Sequence, residues 1–414
     1  MKSMIVLVNN EFDSDPRVNR TVTASRKYFD SITVLSGIPQ FKGRKTTQQE
    51  NITVLRHYYY KPNFSNSSFV KSALAVATGS KQPNSRESEA RRERQSPFRT
   101  LLFIGWFCYI FVMNVWIVLR WMGLRADIYY ANDYDTLLAA YFMSRISHGK
   151  LVYDSHELYS DLLEDSPHIY KRLIEYFEGA LSRKASVVIT VNNPIAKILE
   201  TRYHLSRTPE VIYNTPFYQK MDGDLPAPTA PFKLLYHGMY LPGRNLDDLV
   251  VCMREVENFH LYFRGYGVLE ETLRNLVQQM GLENKVTFLE RVSMHDLVSS
   301  AKDFDMGIVP YPGSQKQLNS YYCTPNKIFE YMMAGLALAV SDLPVLREIV
   351  TTNQVGVVFD TANPAQMATT LNRITQQDLM KMKANALRAA KKTFNFDQES
   401  AKLIKIYQDI YGAN

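Results

Sequence analysis

The sequence predicts an α/β protein of two domains, each a parallel sheet covered by helices on both faces. Three observations carry this. The 414 residues are 46% hydrophobic and 21% charged, with 18 Gly and 18 Pro, an ordinary globular composition but too long for one domain at roughly 100–200 residues each. Short runs rich in β-branched and aromatic residues alternate with stretches long enough for crossover helices, the pattern of right-handed βαβ units. A Pro-rich, aperiodic segment at 219–231 (Gln-Lys-Met-Asp-Gly-Asp-Leu-Pro-Ala-Pro-Thr-Ala-Pro) reads as a linker between two such series.

The first domain is expected over 1–218. Met4–Val8 is too short for a signal-peptide core and reads as a first buried strand. Ser31–Leu35, Ile52–Arg56, Ile128–Ala131, Leu151–Tyr153, Ser186–Val191 and Glu210–Tyr213 follow as strands, with helices over stretches such as Pro16–Phe29 and Pro167–Arg183. Residues from about 60 to 98 are polar and rich in Ser, Asn, Arg and Glu, and read as a mobile surface insertion. The second domain is expected over 232–396, with strands at Lys233–Tyr236, His260–Phe263, Val286–Leu289, Met306–Pro310, Leu336–Val340 and Val355–Phe359. A last helix, Asp397–Tyr411 within 397–414, suits either domain. Two such domains place a ligand in the cleft between them, beyond the carboxyl ends of the strands.

Composition narrows the setting. Cys108, Cys252 and Cys323 supply neither a disulfide framework nor a zinc spacing, which fits a reducing, cytoplasmic environment. The 48 Lys+Arg against 41 Asp+Glu give +7, a mild excess compatible with nucleic acid, a membrane surface or an anionic substrate. A mean hydropathy of −0.23 excludes a multi-span membrane protein.

One run qualifies that exclusion. Leu101–Leu119 holds no charge in 19 residues and lies between Arg99 and Arg120; at ~1.5 Å per residue it reaches roughly 28 Å, close to a bilayer core. Strands before and after it belong to one sheet, which argues against a span. Two placements remain: a crossover helix buried on every side, or a helix with one face on the sheet and the other in the membrane interface. Residues 81–99 carry six Lys/Arg against three Asp/Glu. Arg86, Arg91, Arg92, Arg94 and Arg99 are thus placed to meet anionic headgroups, and membrane contact is expected through 86–120.

The segment richest in chemistry is Tyr321-Tyr-Cys-Thr-Pro-Asn-Lys-Ile-Phe-Glu-Tyr-Met-Met-Ala-Gly335. Thr324 suits an N-cap, Pro325 the first helical position and Gly335 the residue past the end. The helix N-terminus is an anion site, Lys327 adds charge in its first turn, and Glu330 is placed to grip a ribose diol. Gly238 and Arg244 fall on the loop after the strand Lys233–Tyr236, and Arg264-Gly-Tyr-Gly267 follows the next strand. Both loops open on one sheet edge, where arginine can bind a diphosphate. In the first domain, Tyr153-Asp-Ser-His-Glu-Leu-Tyr159 and Asn132-Asp133-Tyr-Asp135 end strands with polar clusters. His156 and Glu157 are placed to face the cleft. Asp133 and Asp135 fit helix capping as well as a metal motif.

Together these segments resemble the retaining GT-B glycosyltransferases of the glycosyl-transferase group 1, or family four, over nearly the whole chain. Asp15-Pro-Arg-Val18 is similar to that group's first loop, Asp154-Ser-His-Glu157 to its acceptor-side histidine segment, and Arg264-Gly-Tyr-Gly267 to its second glycine loop. Pro325-Asn-Lys-Ile-Phe-Glu-Tyr-Met-Met-Ala-Gly335 resembles its nucleotide-binding helix. The resemblance implies two Rossmann-like domains, a nucleotide-diphosphate sugar on the second, no metal or other cofactor, and retaining, hexosyltransferase-type transfer to an acceptor hydroxyl. It implies catalytic roles for His156, Arg244 and Glu330. Donor contacts would come from Gly238, Arg244, Arg264, Gly265, Tyr322, Thr324, Pro325, Asn326, Lys327 and Glu330, and acceptor-side contacts from Asp15, Arg17, Asp133, His156 and Glu157. Two positions depart from the pattern: Tyr322 stands where the first glutamate of E-x7-E belongs, and Met239 where an arginine often follows the first glycine.

With the basic, apolar stretch at 86–120, the resemblance implies a lipid-linked or membrane-proximal glycan acceptor. The protein is expected to be cytoplasmic and peripheral on the inner face of the cell membrane, without a nucleic-acid partner. A GT-B nucleotide-sugar epimerase and a non-catalytic nucleotide-sugar-binding protein are the alternatives.

Overall fold

The computed structural model describes residues 1–38, 46–58, 97–162, 166–220 and 226–412. Residues 60–96 of the expected insertion, with Arg86, Arg91, Arg92 and Arg94, the side chain of Arg99, and the middle of the 219–231 linker lie outside the described residues. Described residues up to Asn214, together with those from Glu399 onward, form one compact unit, and Thr215–Gln398 form the other.

The first unit is an eight-stranded sheet in the order β3-β4-β2-β1-β5-β6-β7-β8. Its strands are β1 (Ser3–Val8), β2 (Ser31–Ile38), β3 (Thr46–Gln49), β4 (Ile52–Tyr58), β5 (Ile128–Asn132), β6 (Lys150–Ser155), β7 (Val187–Thr190) and β8 (Glu210–Val211). The central strands β1, β5 and β6 are buried almost throughout, which is why each carries an apolar run, with the polar residues Asn132, Asp154 and Ser155 confined to the carboxyl ends of β5 and β6. The helices are α1 (Pro16–Ser25), α2 (Pro97–Trp121), α3 (Tyr134–Ser147), α4 (His168–Ser182) and α5 (Asn193–Tyr203).

Two strands differ from expectation. β3 pairs antiparallel with β4 through a two-residue turn at Glu50–Asn51, with Glu50 at φ 52°. Its Thr-Thr-Gln-Gln sequence has no apolar face, as suits a sheet edge. β8 stops after two residues rather than running to Tyr213; it follows Pro209, and proline is confined to sheet edges because it cannot donate to a ladder.

The second unit is a six-stranded, all-parallel sheet in the order β11-β10-β9-β12-β13-β14. It comprises β9 (Phe232–Met239), β10 (Phe259–Tyr266), β11 (Val286–Leu289), β12 (Met306–Val309), β13 (Ala337–Ser341) and β14 (Gly356–Phe359). Its helices are α6 (Leu246–Cys252), α7 (Glu270–Gln279), α8 (Leu297–Ala301), α9 (Leu318–Tyr321), α10 (Asn326–Met333), α11 (Pro344–Asn353), α12 (Pro364–Asn372) and α13 (Gln376–Lys392). The last helix, α14 (Phe396–Gly412), gives most of its length to the first unit, where Tyr407 shares a 2.9 Å hydrogen bond with Ser25 and packs edge-on against Phe29.

The apolar run forms the 25-residue helix α2. Phe103, Ile110, Asn114, Ile117 and Trp121 are buried, whereas Leu101, Leu102, Phe111, Val112, Val115, Trp116, Leu119 and Met122 are exposed. The helix is therefore not buried on every side. Asn114, the polar residue on its inner face, is satisfied there: it donates to the carbonyls of Ile110 and Asp135 and accepts from the Ala139 amide at 2.7–2.8 Å. The segment Thr100–Trp121 is long and apolar enough to cross a membrane, and 22% of its most apolar window is buried.

Candidate functional site

Each sheet has a switch point where chain progression reverses, between β1 and β5 in the first unit and between β9 and β12 in the second. Loops leaving the carboxyl ends of those strands diverge there and open a crevice. The sequence-expected site residues gather at these two places.

In the second unit β9 and β10 run in register, with Gly238 opposite Gly265 and His237 opposite Arg264. The strands come so close that a Cβ on Gly265 would lie 1.8 Å from the Gly238 carbonyl oxygen. Gly238 has φ +133°, a conformation that L side chains rarely adopt, and a Cβ there would sit 2.8 Å from Nζ of Lys327. The bare backbone at Gly238 thus leaves room for the lysine.

Lys327 enters from the first turn of α10 and is almost completely buried. Its ammonium lies 4.0 Å from the Tyr236 ring centroid and 5.0 Å from that of Tyr311, and the Arg244 guanidinium stands 4.1 Å from the Tyr311 ring centroid. Among the described residues neither cation forms an ion pair. Burial pulls the Lys327 pKa below the usual lysine value, against the pull of Tyr311. Aromatic faces offset part of the cost of burying a cation, and an anion would offset far more.

The start of α10 differs from the sequence expectation. Pro325, not Thr324, is the N-cap: it is extended at φ −62°, ψ 133°, and its carbonyl accepts from the Ile328 amide. Proline has no side chain able to cap, and Pro325 makes no side-chain cap hydrogen bond to the first-turn amides. A helix N-terminus beside two cations is suited to an anion.

Glu330 sits one turn further on, with Oε2 2.8 Å from Nε2 of His237. His237 is itself fixed from both sides: its amide donates to the Tyr331 hydroxyl at 2.9 Å and its ring packs 4.5 Å from the Tyr331 ring. Burial holds the His237 pKa low, against the opposing pull of Glu330. Tyr331 reaches this place because Gly307 leaves it space, since a Cβ there would fall 2.2 Å from the ring. The other expected donor residues are less committed to the crevice. Arg264 donates to the Ser300 hydroxyl at 2.9 Å and lies over Phe304, and Tyr322 packs edge-on against Tyr321. Sequence reading missed His237, Tyr236 and Tyr311; the signal was a histidine ending the apolar run Leu-Leu-Tyr just before Gly238.

In the first unit the corresponding cluster centres on Asp154. This buried carboxylate accepts two hydrogen bonds from Arg17 (2.5 and 3.1 Å) and one from the Tyr130 hydroxyl (2.8 Å). Arg17 also donates to the Ile212 carbonyl at 3.0 Å, and Asp15 caps α1 through the amides of Arg17 and Val18. Arg17 therefore serves the unit's interior, and Asp15 the start of α1. Asp133, at φ 66°, ψ 160°, occupies the N-cap position of α3 without capping it. Its carboxylate instead holds the Tyr159 hydroxyl and Nδ1 of His156, the latter at 2.9 Å. Such a backbone costs on the order of 1–3 kcal/mol and is characteristic of sites where geometry is imposed.

His156 lies between two carboxylates, with Nε2 3.3 Å from Asp154. Burial alone would push its pKa down, but the charges of Asp133 and Asp154 outweigh burial and raise it to about 10. His156 is thus a cationic hydrogen-bond donor at neutral pH, not a base. The stabilisation this provides is complete below the unfolded value of about 6.5 and is lost as pH rises toward 10. NMR titration of the His156 ring is expected to find it protonated at pH 8, and Asp133→Asn to bring its midpoint down.

Among the described residues no group of three or more His, Cys, Asp or Glu side chains is arranged to hold a metal ion.

Comparison with known proteins agrees with this geometry. The model of Glycosyl transferases group 1 matches residues 218–393, and that of Glycosyltransferase Family 4 matches 74–215. No curated protein matches the chain by sequence. Among solved structures, sucrose-phosphate synthase from Thermosynechococcus elongatus is similar at TM-score 0.69 and 13% identity, over 100% of both chains. HepE from Anabaena, in complex with UDP, is similar at TM-score 0.66 and 15% identity, over 99% of this chain and 100% of the other. An Escherichia coli structure described as trehalose-6-phosphate bound with UDP-2-fluoro glucose has TM-score 0.67 and 10% identity, over 99% of each chain. With two parallel-sheet α/β units, and with both family models matched in chain order, the chain belongs to the GT-B glycosyltransferases of group 1.

Proposed function

We propose that the protein is a metal-independent, retaining, hexosyl-type glycosyltransferase, taking a sugar from a nucleotide-diphosphate donor to an acceptor hydroxyl. One observation carries this reading: a buried ammonium without an ion-pair partner among the described residues, Lys327, held beside Arg244 at the start of α10. Such a site needs an anion to complete it. A diphosphate also gains charge as its bond to the sugar breaks, so cations and amides fixed in advance stabilise the departing group more than the intact donor. Arg244, Lys327 and the α10 amides take that part. Glu330, oriented by His237, accepts hydrogen bonds from the ribose diol.

The anomeric C–O bond to the diphosphate breaks, the acceptor oxygen bonds to the same face of that carbon, and the acceptor proton passes to a donor phosphate oxygen. His156, as an imidazolium, donates to a hydroxyl of the sugar or acceptor and positions it. The test is release of nucleoside diphosphate with and without a candidate acceptor, followed by NMR of the product's anomeric coupling. Acceptor-dependent release with the donor's configuration kept supports the reading. Turnover of donor without acceptor would instead identify an epimerase, the alternative on the same fold. Binding without any turnover would identify a non-catalytic protein, an outcome that Tyr322 at the glutamate position favours.

The acceptor is a lipid-linked or membrane-proximal glycan precursor, and the protein is cytoplasmic and peripheral on the inner face of the cell membrane. Support comes from the outer face of α2, where Val112 and Leu119 are 61% and 68% exposed on a helix without an acidic residue in its first turn and with Arg120 in its last. An apolar face with a cationic rim suits an anionic bilayer surface. Leu119→Ser with Val112→Ser is expected to release the protein from anionic vesicles in flotation while leaving its thermal unfolding unchanged. These positions serve better than Trp116, whose ring packs against His57 and Trp121.

A further inference from the structure

The second unit carries a cavity of about 410 Å³ that shares no lining residue with the donor crevice. Tyr218, Met333 and Leu387 give it an apolar wall, and Arg388, Lys391 and Lys392 a cationic rim. Met333 ends α10, whereas Lys327 lies in that helix's first turn. Six residues separate them, roughly 9 Å along the axis at ~1.5 Å per residue.

Helical spacing gathers the three cations. Arg388 precedes Lys391 by three residues and Lys392 by four, so all share one face of α13. Like charges at these spacings repel, and an anion between them removes that cost. Cations in a last helical turn ordinarily complement the dipole and hydrogen-bond the final carbonyls. Here other groups take those carbonyls. Asn395 donates to the carbonyls of Ala390 and Lys391 at 2.8 and 2.9 Å, and the amides of Thr393 and Phe394 both donate to that of Ala389 at 2.9 Å. Among the described residues none of the three cations forms an ion pair. Asp397, the next carboxylate along the chain, accepts from the Tyr218 amide at 3.0 Å.

The apolar wall is held in place by backbone. The Gln219 amide donates to Sδ of Met333 at 3.4 Å, the Phe396 amide donates to the Pro216 carbonyl at 2.7 Å, and the rings of Phe217 and Phe396 meet edge-on at 5.2 Å. Tyr218 is thus fixed between two pinned neighbours. The volume falls within the ~300–1,000 Å³ of small-molecule sites. A fixed aromatic and aliphatic wall under an arginine and two lysines suits a phosphate that carries a ring or hydrocarbon part.

We propose that this cavity binds a small phosphorylated molecule other than the sugar donor. Its phosphate lies on Arg388, Lys391 and Lys392, and its ring or hydrocarbon part on Tyr218, Met333 and Leu387. A soluble phosphate ester and an anionic lipid headgroup share this chemistry.

The test is calorimetric binding of phenyl phosphate to the Arg244→Ala/Lys327→Met variant, in which the donor-crevice cations are gone. Saturable binding is expected, tighter than that of inorganic phosphate. Adding Arg388→Ala, Lys391→Ala and Lys392→Ala should weaken it about tenfold or more. The control adds Lys27→Ala, Lys184→Ala and Arg207→Ala instead, removing the same charge from exposed positions of the first unit, and should leave binding unchanged. Tyr218→Ala should bring phenyl phosphate down to the level of inorganic phosphate. Absence of saturable binding, equal losses in the two triple replacements, or a full phenyl preference without Tyr218 overturns the proposal. Vesicles distinguish the two sources, and either result supports the site: displacement of the probe by phosphatidylglycerol but not phosphatidylcholine assigns it to a lipid headgroup, and displacement by neither to a soluble ester. Equal displacement by both lipids overturns the phosphate assignment.

Discussion

Lys327→Met is expected to lower kcat/KM for the donor by on the order of 10²–10³-fold, with thermal stability unchanged or raised. The two halves of this expectation have one cause. The ammonium is buried against Tyr236 and Tyr311 without an ion pair among the described residues, and burial already lowers its pKa. Removing the charge therefore relieves the folded apoprotein of an unfavourable group. The same change removes a preorganised positive charge from the place where a diphosphate would develop its own. The sign with pH follows: a lysine depressed in the folded state destabilises it as pH falls below the ordinary lysine value, and Lys327→Met should flatten that slope. Steady-state kinetics and a pH series of melting curves check both halves. A purely structural lysine would give the reverse, lost stability with kinetics intact. Met239 stands where the group's arginine is often found, so Met239→Arg in the Lys327→Met background should restore part of the loss.

The second large effect is on the fold. Asp154→Asn removes the charge that pairs with buried Arg17, leaving a guanidinium without its counter-ion inside the first unit. Breaking a buried pair in this way costs about 3–5 kcal/mol. Burial opposes ionisation of Asp154, but Arg17 and then His156 outweigh it and hold its pKa far below the usual carboxylate range. The stability it contributes is thus present above pH 4 and lost as the solution becomes strongly acid. Calorimetry should find the first unit's transition lowered by roughly 6–20 °C, at ~2–4 °C per kcal/mol for 150–250 residues. The variant should also lower the His156 midpoint, because one of its two flanking charges is gone. An unchanged transition would mean that the Arg17–Asp154 pair contributes little to holding the unit together.

Much of the fold is legible in the sequence because strands covered on both faces must be apolar along their whole length, as β1, β5, β12 and β13 are. β3 is not legible, because an exposed edge strand needs no apolar pattern. The N-terminus of α10 is off by one residue: Thr324-Pro325 has the local chemistry of a capped start, yet Pro325 adopts an extended conformation and is itself the N-cap. Asp133 reads as a cap from its position after a strand, whereas its carboxylate serves His156 and Tyr159, a choice set by β6 lying beside β5. His237 was hidden because a strand residue before a glycine carries no motif of its own. Its pairing with Glu330 arises from the fold, which brings together residues far apart in the chain. For α2, composition limits the placement to core or interface, and only the packing of α3 and α4 decides which side chains remain outside.

The decisive measurement is calorimetric binding of UDP, GDP and ADP, and of their glucose conjugates, to the native chain and to an Arg244→Ala/Lys327→Met double variant. At least one nucleoside diphosphate is expected to bind the native chain, with affinity reduced about a hundredfold or more in the double variant. Binding that survives the loss of both cations, or the failure of every nucleotide to bind the native chain, would contradict the assignment of this crevice to a nucleotide-sugar donor.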